Sequence, residues 1–302
     1  MRVAVTGGSG FVGTWLQAHL RDAGDDVVCV DTDITDAEAV GVAIRNAAPD
    51  AIYHLAGQAN VASSWTDPAG TFAVNATGTL NVLEAARSIS PMPRVLVVGS
   101  ADEYGVVSRE QMPITESQPL RPVSPYAVSK VAAEQLAFQA FAGFGLPTIC
   151  ARSFNHIGPG QSDGFVVSAI ARQVADAERS GESVVHIGNL TARRDFTDVR
   201  DVVRAYRRLV ECGEPGGAYN VCSGVDIEIA QLANALISQS TVALRLEIDP
   251  ARVRPVDTPV FLGDPSKLCS ATGWQPTFDI VSTVGEVLAW WRESGPPTGG
   301  PE

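Results

Sequence analysis

Basic residues are scarce in this sequence. It contains 22 lysines and arginines against 34 aspartates and glutamates, which gives a formal net charge of -12 and an isoelectric point near 4.8. Binding to a nucleic acid needs a basic surface that neutralises phosphates. The composition therefore argues against a nucleic-acid partner, whereas an anionic small molecule can still bind through a few local arginines.

Cysteine and histidine are also sparse. The five cysteines are widely separated and form no Cys-X-X-Cys pair: Cys29, Cys150, Cys212, Cys222 and Cys269. Most of them lie in apolar surroundings, where a buried thiol behaves as a small hydrophobic group, so we expect core thiols. The four histidines are scattered, with no carboxylate cluster at ligand spacing, so we expect no catalytic metal.

Long hydrophobic runs are missing as well. No uncharged run reaches membrane-spanning length, and the N-terminus has no basic segment followed by an apolar stretch. These absences predict a cytoplasmic protein that does not bind a membrane.

The first half of the chain alternates apolar runs with amphipathic stretches. The runs RVAVTG, DVVCVD, AIYHLAG, RVLVVGS and PTICARSF are typical of buried strands, and helical patterns lie between them, for example over residues 72–86 and 126–144. Continuous apolar strands separated by helices predict a parallel sheet covered on both faces. With 302 residues, 45% of them hydrophobic, the chain is long enough for a second lobe.

After about residue 158 the alternation breaks down, and glycine and proline punctuate the chain, as in HIGPGQSDG and ECGEPGG. We therefore predict an α/β fold: a Rossmann-type doubly wound parallel sheet with a smaller C-terminal α/β substrate-binding lobe. The predicted NAD(P)-binding domain covers residues 1–157 with a returning segment at about 191–224. The predicted lobe covers about 158–190 and 225–293, and the tail 294–302 is expected to be disordered.

A glycine-rich segment, VAVTGGSGFVGTWL, joins the first strand to the first helix and places Gly7, Gly8, Gly10 and Gly13 there. Glycines let backbone N–H groups and a helix N-terminus approach a pyrophosphate, which a Cβ atom would block. A tight turn without a ligand is the alternative explanation. Because Asp31 ends the next strand, where an acid binds the adenosine ribose, we favour a dinucleotide site. An acid there repels a 2′-phosphate, which favours NAD(H) over NADP(H).

The segment SPYAVSK contains Tyr126 and Lys130, whose side chains share one helix face because they are four residues apart. A nearby ammonium stabilises a tyrosinate, so we expect the pKa of Tyr126 to be lowered and this residue to act as a general acid or base. Isolated pairs of this kind are usually surface pairs. Ser100 ends a central strand and is expected to face the same crevice, where it can hydrogen-bond a substrate oxygen that gains charge.

Several motifs together indicate a family. They are, in chain order, Gly7, Gly10 and Gly13, HLAG, NATGTLNVLEAA, Ser100, and the pair Tyr126 and Lys130. This set resembles the extended short-chain dehydrogenase/reductases, which act on nucleotide sugars, and the resemblance covers almost the whole chain. The further motifs SPYAVSK, RSFNHIGPGQSDGFV, GNLTARRDFTDVRD, YNVCSG and LGDPSKL are most similar to those of the reductases that convert GDP-4-keto-6-deoxy-D-mannose to GDP-D-rhamnose. The GDP-mannose 4,6-dehydratases are similar too.

The resemblance implies roles for individual residues. The implied catalytic residues are Ser100, Asp102, Tyr126 and Lys130. The implied cofactor-binding residues are Gly7, Gly10, Phe11, Val12, Asp31, Asp33, Ile34, Leu55, Ala56, Gly57 and Asn75, with Tyr126 and Lys130. His54 is implied to lie near the nicotinamide. The segment from Asp31 to DITD is shorter than the usual adenosine-side loop, so NADP(H) remains open beside NAD(H).

The resemblance also implies a set of substrate-binding residues. They are Asn155, His156, Asn189, Arg194, Arg254 and Asp257. The resemblance places Arg194 and Arg254 on the diphosphate, which a guanidinium binds bidentately, and Asp257 on the ribose hydroxyls. Taken singly, each arginine is equally well explained as a solvated surface residue. His156 is alternatively a structural hydrogen-bonding residue.

Two adjacent acids in VLVVGSADEYG, Asp102 and Glu103, bear on the reaction type. By the resemblance, Asp102 occupies the position where the dehydratases have a glutamate that removes the C5 proton. Aspartate is one methylene shorter, which suits a reductase, since a reductase needs a hydride and a tyrosine proton but no C5 base. Glu103 has no matching role, and we interpret it as a helix-side or solvated acid.

Three functions are compatible with these motifs. The first is a nucleotide-sugar 4-ketoreductase, and the second is a dehydratase or epimerase that recycles its cofactor. The third is a non-catalytic NAD(P)-binding sensor or scaffold, which need not retain Ser100, Tyr126 and Lys130 together.

The helices that follow Phe72 and Tyr126 have apolar residues beyond one face: Leu80, Val82, Leu83, Leu136, Phe138 and Phe141. Two such helices from each subunit can form a four-helix interface, as the resemblance also implies. We therefore expect a homodimer.

Overall fold

The computed structural model describes residues 1–252 and 258–294. The strands are β1 Arg2–Thr6, β2 Asp26–Val30, β3 Ala51–His54, β4 Arg94–Ser100, β5 Thr148–Ser153, β6 Asn155–Ile157, β7 Val184–Ile187, β8 Arg193–Asp198, β9 Ala218–Val221, β10 Asp226–Glu228, β11 Arg245–Ile248 and β12 Val260–Phe261. The helices are α1 Phe11–Asp22, α2 Ala37–Ala47, α3 Val61–Thr66, α4 Pro68–Phe72, α5 Gly78–Arg87, α6 Pro125–Phe144, α7 Val166–Ser180, α8 Val199–Cys212, α9 Ile229–Ser238, α10 Ser266–Thr272 and α11 Ile280–Ser294.

Six strands form one parallel sheet in the order β2-β1-β3-β4-β5-β9. β1 pairs with β2 on one side and β3 on the other, so the direction of winding reverses between β1 and β3. The crevice at the carboxyl ends of strands beside such a reversal is where open α/β sheets bind ligands. The predicted doubly wound parallel sheet is confirmed.

Helices cover both faces of this sheet, which explains why its strands are mainly apolar. On one face α1 and α8 bury Leu16, Leu20 and Leu209 against β1 and β3. On the other face α2, α5 and α6 pack over the same strands through residues such as Ile44 and Val82. The crevice is therefore built on a sheet whose central strands are buried on both faces.

The remaining strands form smaller sheets beside the large one. β8 lies at the centre of a sheet in which it pairs with β6, β10 and β12, and β7 pairs with β11. Helices α7, α9 and α11 surround a separate hydrophobic core that includes Val174, Leu232, Leu288 and Trp291. Since β6 follows β5 after a single residue, this second region begins directly at the carboxyl edge of the large sheet.

Not all of the cysteines are buried, contrary to the expectation of core thiols. Cys150 and Cys222 are buried, but Cys29 and Cys212 are exposed and Cys269 is half-buried. The expectation of core thiols is wrong for the two exposed residues. Cys29 lies on β2, which is the edge strand of the sheet, and Cys212 is the last residue of α8.

The predicted apolar surface of α5 and α6 is present only in part. Leu80 is 37% exposed and Phe138 is 53% exposed. Val82 and Leu83, in contrast, are buried in the core, because they lie on the side of α5 that faces the sheet. The expectation that those two residues contribute to an exposed face is wrong.

The described part of the chain contains no helix that is both long and apolar enough to cross a membrane. Of the tail predicted to be disordered, 294–302, only Ser294 is among the described residues, as the last residue of α11. Arg254 and Asp257, two of the implied substrate-binding residues, also lie outside the described residues.

Candidate active site

The first glycine loop lies between β1 and α1. Gly7 has φ +68°, and a Cβ on it would lie 2.7 Å from the main-chain N of Ala56. A Cβ on Gly13 would lie 2.3 Å from the Gly7 carbonyl oxygen. The loop is thus packed too closely for side chains, and the N-terminus of α1, capped by Gly10 without a side-chain hydrogen bond, faces the crevice with no acid in its first turn. This cradle fits a pyrophosphate.

The first turn of α1 also contacts the second region. Phe11, implied to bind the cofactor together with Val12, stacks on the His156 ring with centroids 6.1 Å apart and an interplanar angle of 8°. Trp15 donates a hydrogen bond from its indole N–H to the Pro159 carbonyl oxygen at 3.0 Å. The two regions therefore meet at the glycine loop.

The residues implied to bind adenosine differ in their surroundings. Asp31 is exposed immediately after β2. Asp33 Oδ1 accepts hydrogen bonds from the Thr35 main-chain N–H at 2.9 Å and hydroxyl at 2.8 Å, and these bonds lower its pKa. The side chain of Ile34 is buried in the core, where it packs directly over Gly78. Its main chain is therefore the part that could contact a ligand.

His54 lies beneath the crevice. Thr79 Oγ1 donates to the Asn75 carbonyl oxygen at 2.6 Å and so accepts from His54 Nε2 at 2.9 Å. The other ring nitrogen, Nδ1, then accepts from Thr6 Oγ1 at 2.7 Å. Burial lowers the pKa of His54 to about 3, so the ring is neutral. Both nitrogens are used internally, and His54 supports the ends of β1 and β3 rather than facing a ligand.

Asn75 lies in a π-turn, Ala73–Thr77, between α4 and α5. Its side-chain oxygen accepts the Gln58 main-chain N–H at 2.8 Å, and its amide donates to the Gln58 carbonyl at 3.0 Å and to Ser129 Oγ at 2.9 Å. Asn75 therefore holds the loop after β3, which contains Leu55, Ala56 and Gly57, against α6. This loop packs directly against Gly7 of the glycine loop.

Ser100, Tyr126 and Lys130 are brought together at the carboxyl end of β4. Helix α6 begins there because Ser124 caps it through the Ala127 main-chain N–H at 3.1 Å, with Pro125 at the first helical position. Tyr126 and Lys130 face β4 from successive turns, and the Ser100 side chain lies near enough to the Tyr126 hydroxyl to lower its pKa. The predicted shared crevice is therefore present, with the pair buried rather than on the surface.

The electrostatics of Tyr126 depart from expectation. Burial raises its pKa and the Asp102 carboxylate raises it further, whereas the Ser100 side chain lowers it. The expectation of a lowered pKa is wrong in this structure, because desolvation of the phenol is the largest contribution and Lys130 Nζ lies 5.9 Å from the ring centroid. Burial also lowers the pKa of Lys130, to about 8.

The two adjacent acids have different surroundings. Asp102 is half-buried, and its main-chain N–H donates to Ser100 Oγ at 3.2 Å. Glu103 is completely buried, and its Oε1 accepts the Ser100 main-chain N–H at 2.7 Å. The interpretation of Glu103 as a solvated acid is wrong, because the 3-10 turn Ala101–Tyr104 directs it inward. The spacing Ser-X-X-Glu is that of a capping box and could have revealed this contact.

The implied substrate-binding residues line the neighbouring sheet. Asn155 is exposed on β6, and its amide lies 3.5 Å from the Asp195 carbonyl oxygen on β8. Arg194, also on β8, donates to the Arg193 and Thr258 carbonyl oxygens at 2.8 and 2.7 Å. Asn189 Oδ1 accepts from Thr191, in the loop before β8. These side chains lie on one side of the crevice but are spread over β6, β8 and their loops.

His156 has a defined tautomer. The Phe154 carbonyl oxygen can only accept, so His156 Nδ1 donates to it at 3.0 Å and Nε2 is the unprotonated nitrogen. Burial lowers the pKa of His156, and the ring is neutral. It therefore offers an acceptor nitrogen, not a cation.

Asp195 is a functional support that the sequence reasoning missed. It is completely buried, and its carboxylate accepts the main-chain N–H groups of Ser223 and Gly224 at 2.8 and 2.9 Å. Burial raises its pKa to about 6 in spite of these bonds. By tying β8 to the loop after β9, Asp195 fixes the strand on which Arg194 lies.

The family model for GDP-mannose 4,6 dehydratase matches residues 25–287. The chain belongs to the GDP-mannose 4,6 dehydratase family. A curated relative from Pseudomonas aeruginosa, GDP-6-deoxy-D-mannose reductase, is 39% identical over 296 residues, covering 96% of this chain and 97% of that protein. The resemblance to the extended short-chain dehydrogenase/reductases is confirmed.

Two solved structures are similar to this member of the GDP-mannose 4,6 dehydratase family. RMD from Pseudomonas aeruginosa, complexed with NADPH, has a TM-score of 0.91 and 38% identity, covering 97% of this chain and 100% of that chain. UDP-glucose 4-epimerase from Thermus thermophilus, in complex with NAD, has a TM-score of 0.86 and 29% identity, covering 97% of this chain and 99% of that chain. The likeness therefore spans both the large sheet and the smaller ones.

The glycine loop of this family member yields the first prediction. In Gly13→Ala the new Cβ collides with the Gly7 carbonyl, so the loop must move, and the dissociation constant for a nicotinamide dinucleotide should rise about tenfold or more. Calorimetric titration measures it. The control is Gly24→Ala, at a position whose φ of +83° strains an alanine although a Cβ there would meet no atom within 4 Å. Equal affinities in the two variants would show that the loop does not hold the cofactor.

Proposed function

We propose that this protein reduces the C4 keto group of GDP-4-keto-6-deoxy-D-mannose with NAD(P)H and releases GDP-D-rhamnose. The observation on which the proposal rests is the 39% identity to a GDP-6-deoxy-D-mannose reductase over nearly the full length of both chains. The buried grouping of Ser100, Tyr126 and Lys130 supports it, because a non-catalytic dinucleotide-binding protein has no need of that set.

The cofactor would lie across the carboxyl edge of the large sheet, with its pyrophosphate on the loop of Gly7, Gly10 and the first turn of α1. When bound, it supplies the hydride. Asp31 would accept hydrogen bonds from the adenosine ribose and would repel a 2′-phosphate, so we infer that NADH is preferred. The solved relative with NADPH makes a comparison of the two donors part of the assay.

The chain's own residues would handle the proton and the developing charge. Tyr126 would donate its hydroxyl proton to the C4 oxygen while Ser100 donates a hydrogen bond to the same atom. Lys130 would keep a positive charge near the phenol so that the tyrosinate can form. Asp102 would orient sugar hydroxyls.

The GDP-sugar would lie between the second lobe, which we take as residues 158–190 and 225–293, and the dinucleotide domain, which we take as residues 1–157 and 191–224. Arg194 would bind the diphosphate, with Asn155, His156 and Asn189 on the sugar side. His156 would act as a neutral acceptor and not as a cation. Arg254 and Asp257 are the further predicted contacts outside the described residues.

A dehydratase is the alternative function, since the matching family model describes one. Dehydration needs a base for the C5 proton and an acid for the leaving hydroxyl. Asp102 is the acid near Tyr126, and its shorter side chain favours reduction in addition to the 39% identity to a reductase.

The test of the proposal is a cofactor-oxidation assay. Purified protein is incubated with NADH or NADPH and a panel of 4-keto-6-deoxy nucleotide sugars, and the loss of reduced-nicotinamide absorbance is followed. We expect one NAD(P)H oxidised per molecule of GDP-4-keto-6-deoxy-D-mannose and no turnover of GDP-mannose, whose C4 is already a hydroxyl. Conversion of GDP-mannose to a 4-keto product without net cofactor use would overturn the proposal.

Asp102→Asn separates the two reactions. In a reductase the variant should retain turnover within about threefold, because no carboxylate base is required, whereas a dehydratase should lose nearly all activity. A substrate deuterated at C5 gives an independent readout by mass spectrometry. Washout of that deuterium into solvent would exclude the reductase.

Tyr126→Phe removes the proton donor and keeps the ring packed. Turnover should fall roughly 100-fold or more, with NAD(H) affinity nearly unchanged. Tyr219→Phe is the matched control, since it removes another buried hydroxyl, one that accepts the Glu214 main-chain N–H at 2.9 Å in the loop that precedes β9. Turnover of Tyr126→Phe within a few-fold of the control would show that another group is the acid.

We also propose a homodimer formed by α5 and α6 of each subunit. Exposed apolar side chains lie on or beside these helices, namely Phe72, Leu80, Val128 and Phe138. Sedimentation at micromolar concentration should give a dimer that Phe138→Glu weakens and Val225→Glu, at another site that is 68% exposed, does not. A monomer in the wild type would contradict this assembly.

A further inference from the structure

A buried carboxyl outside the proposed catalytic set lies at the end of β4. Glu103 is 0% exposed, and while its Oε1 accepts the Ser100 N–H, its Oε2 is buried with no hydrogen-bond partner among residues 1–252 and 258–294. A Cβ on Gly99 would lie 2.5 Å from Glu103 Oε1. Glycine at that position therefore makes room for the carboxyl.

Lys130 is hydrogen bonded to the same end of β4. Its Nζ donates to the Val98 carbonyl oxygen at 2.9 Å. The Val98 carbonyl and the Ser100 N–H are two residues apart on β4, so they face the same edge of the strand. The ammonium of Lys130 and the carboxyl of Glu103 thus both bind this one edge.

We propose that Glu103 is a positioning residue that titrates together with Lys130, so that ionisation of the buried carboxyl keeps the lysine in its ammonium form. The inference rests on the role proposed above for Lys130. It goes beyond that role by adding a second proton-holding group behind Ser100, Tyr126 and Lys130.

The energetics of burial favour such coupling. Burial first and the Glu134 carboxylate second raise the pKa of Glu103 to about 8, whereas burial lowers the pKa of Lys130 to about 8. The Lys130 ammonium lowers the pKa of Glu103, and the Glu103 carboxylate raises the pKa of Lys130, so each group opposes the effect of burial on the other. A lone buried ion is costly. When the fully protonated pair, a carboxylic acid and an ammonium, loses one proton, the carboxylate and ammonium that result stabilise each other as an ion pair.

The other charges near the pair largely compensate each other. Glu134 lies one turn beyond Lys130 on α6 and binds Arg152 of β5 through two hydrogen bonds of 2.8 and 2.5 Å. Arg152 also donates to the Tyr104 hydroxyl at 2.9 Å. Although Arg152 is paired with Glu134, it lowers the pKa of Glu103, and the Lys130 ammonium lowers that pKa as well. Of the two cations, Lys130 is the one that shares the β4 edge with Glu103.

The active-site side adds two groups, Asp102 and Tyr126. The carboxylates of Asp102 and Glu103 both raise the pKa of Tyr126. Ionisation of Glu103 thus keeps the proton on Tyr126 as well as on Lys130. The upper pH limit of activity should therefore depend on Glu103 although this residue does not face the crevice.

The experiment uses the fact that Lys130 and Lys267 are the only lysines in the chain. In protein labelled with 13C at lysine Cε, two NMR signals are followed as the pH is raised. Lys267 is exposed and serves as the internal reference. Glu103→Gln keeps an oxygen for the Ser100 N–H but cannot ionise, and Glu103→Leu removes both properties.

We expect the titration midpoint of Lys130 to fall by about 0.5 to 1 pH unit in both variants, with Lys267 unmoved. An unchanged Lys130 midpoint would overturn the proposal. This measurement needs no substrate, so it is readable even if the assay for the proposed reductase fails.

The pH profile of turnover distinguishes positioning from a purely structural role. In Glu103→Gln the alkaline limb should move to lower pH while turnover near neutrality stays within about threefold of wild type. In Glu103→Leu the Ser100 N–H loses its acceptor, and turnover should fall about tenfold or more at every pH. Lower thermal stability with an unmoved alkaline limb in Glu103→Gln would leave Glu103 only a structural role and contradict the proposal.

Discussion

The main-chain polar groups at the carboxyl end of β4 are the constraint on which the site depends. Beyond the residues that pair with β3, this strand would leave its carbonyl and N–H groups buried and unpaired, which is costly. Lys130 satisfies the Val98 carbonyl, and Glu103 satisfies the Ser100 N–H. The same contacts that complete the strand therefore also place the lysine and the serine, and through α6 the tyrosine.

A hydrogen-bonded carboxylate and a pair of stacked rings join the large sheet to the smaller ones. Asp195 ties β8 to the loop after β9, and the His156 ring stacks on Phe11 at the start of α1. A ligand that spans the two regions would then meet surfaces whose relative position is already set. Since neutral His156 contributes shape and an acceptor but no charge, attraction for an anionic ligand depends on the arginines of β8 and beyond.

Desolvation governs the proton chemistry of the site more than any single ion pair. Burial raises the pKa of Tyr126 and of Glu103 and lowers that of Lys130, so all three groups resist ionisation. In such surroundings a proton moves only when charge is balanced nearby. The close spacing of acids and bases around β4 supplies that balance, and it explains why the pairing of Tyr126 with Lys130 alone does not describe the electrostatics.

Local sequence patterns determined the strands, the helices and the glycine loop, because apolar periodicity and the absence of a Cβ act over a few residues. The spacing of Tyr126 and Lys130 likewise determined that they share a helix face, and the Ser-X-X-Glu pattern already contained the contact of Glu103 with Ser100. Only the tertiary structure decided that Glu103 is buried, that Glu134 pairs with Arg152, that Asp195 supports β8, and that Cys29 is exposed. The burial of these side chains and their hydrogen-bond partners depend on segments that are distant in the chain. No local spacing encodes how those segments pack.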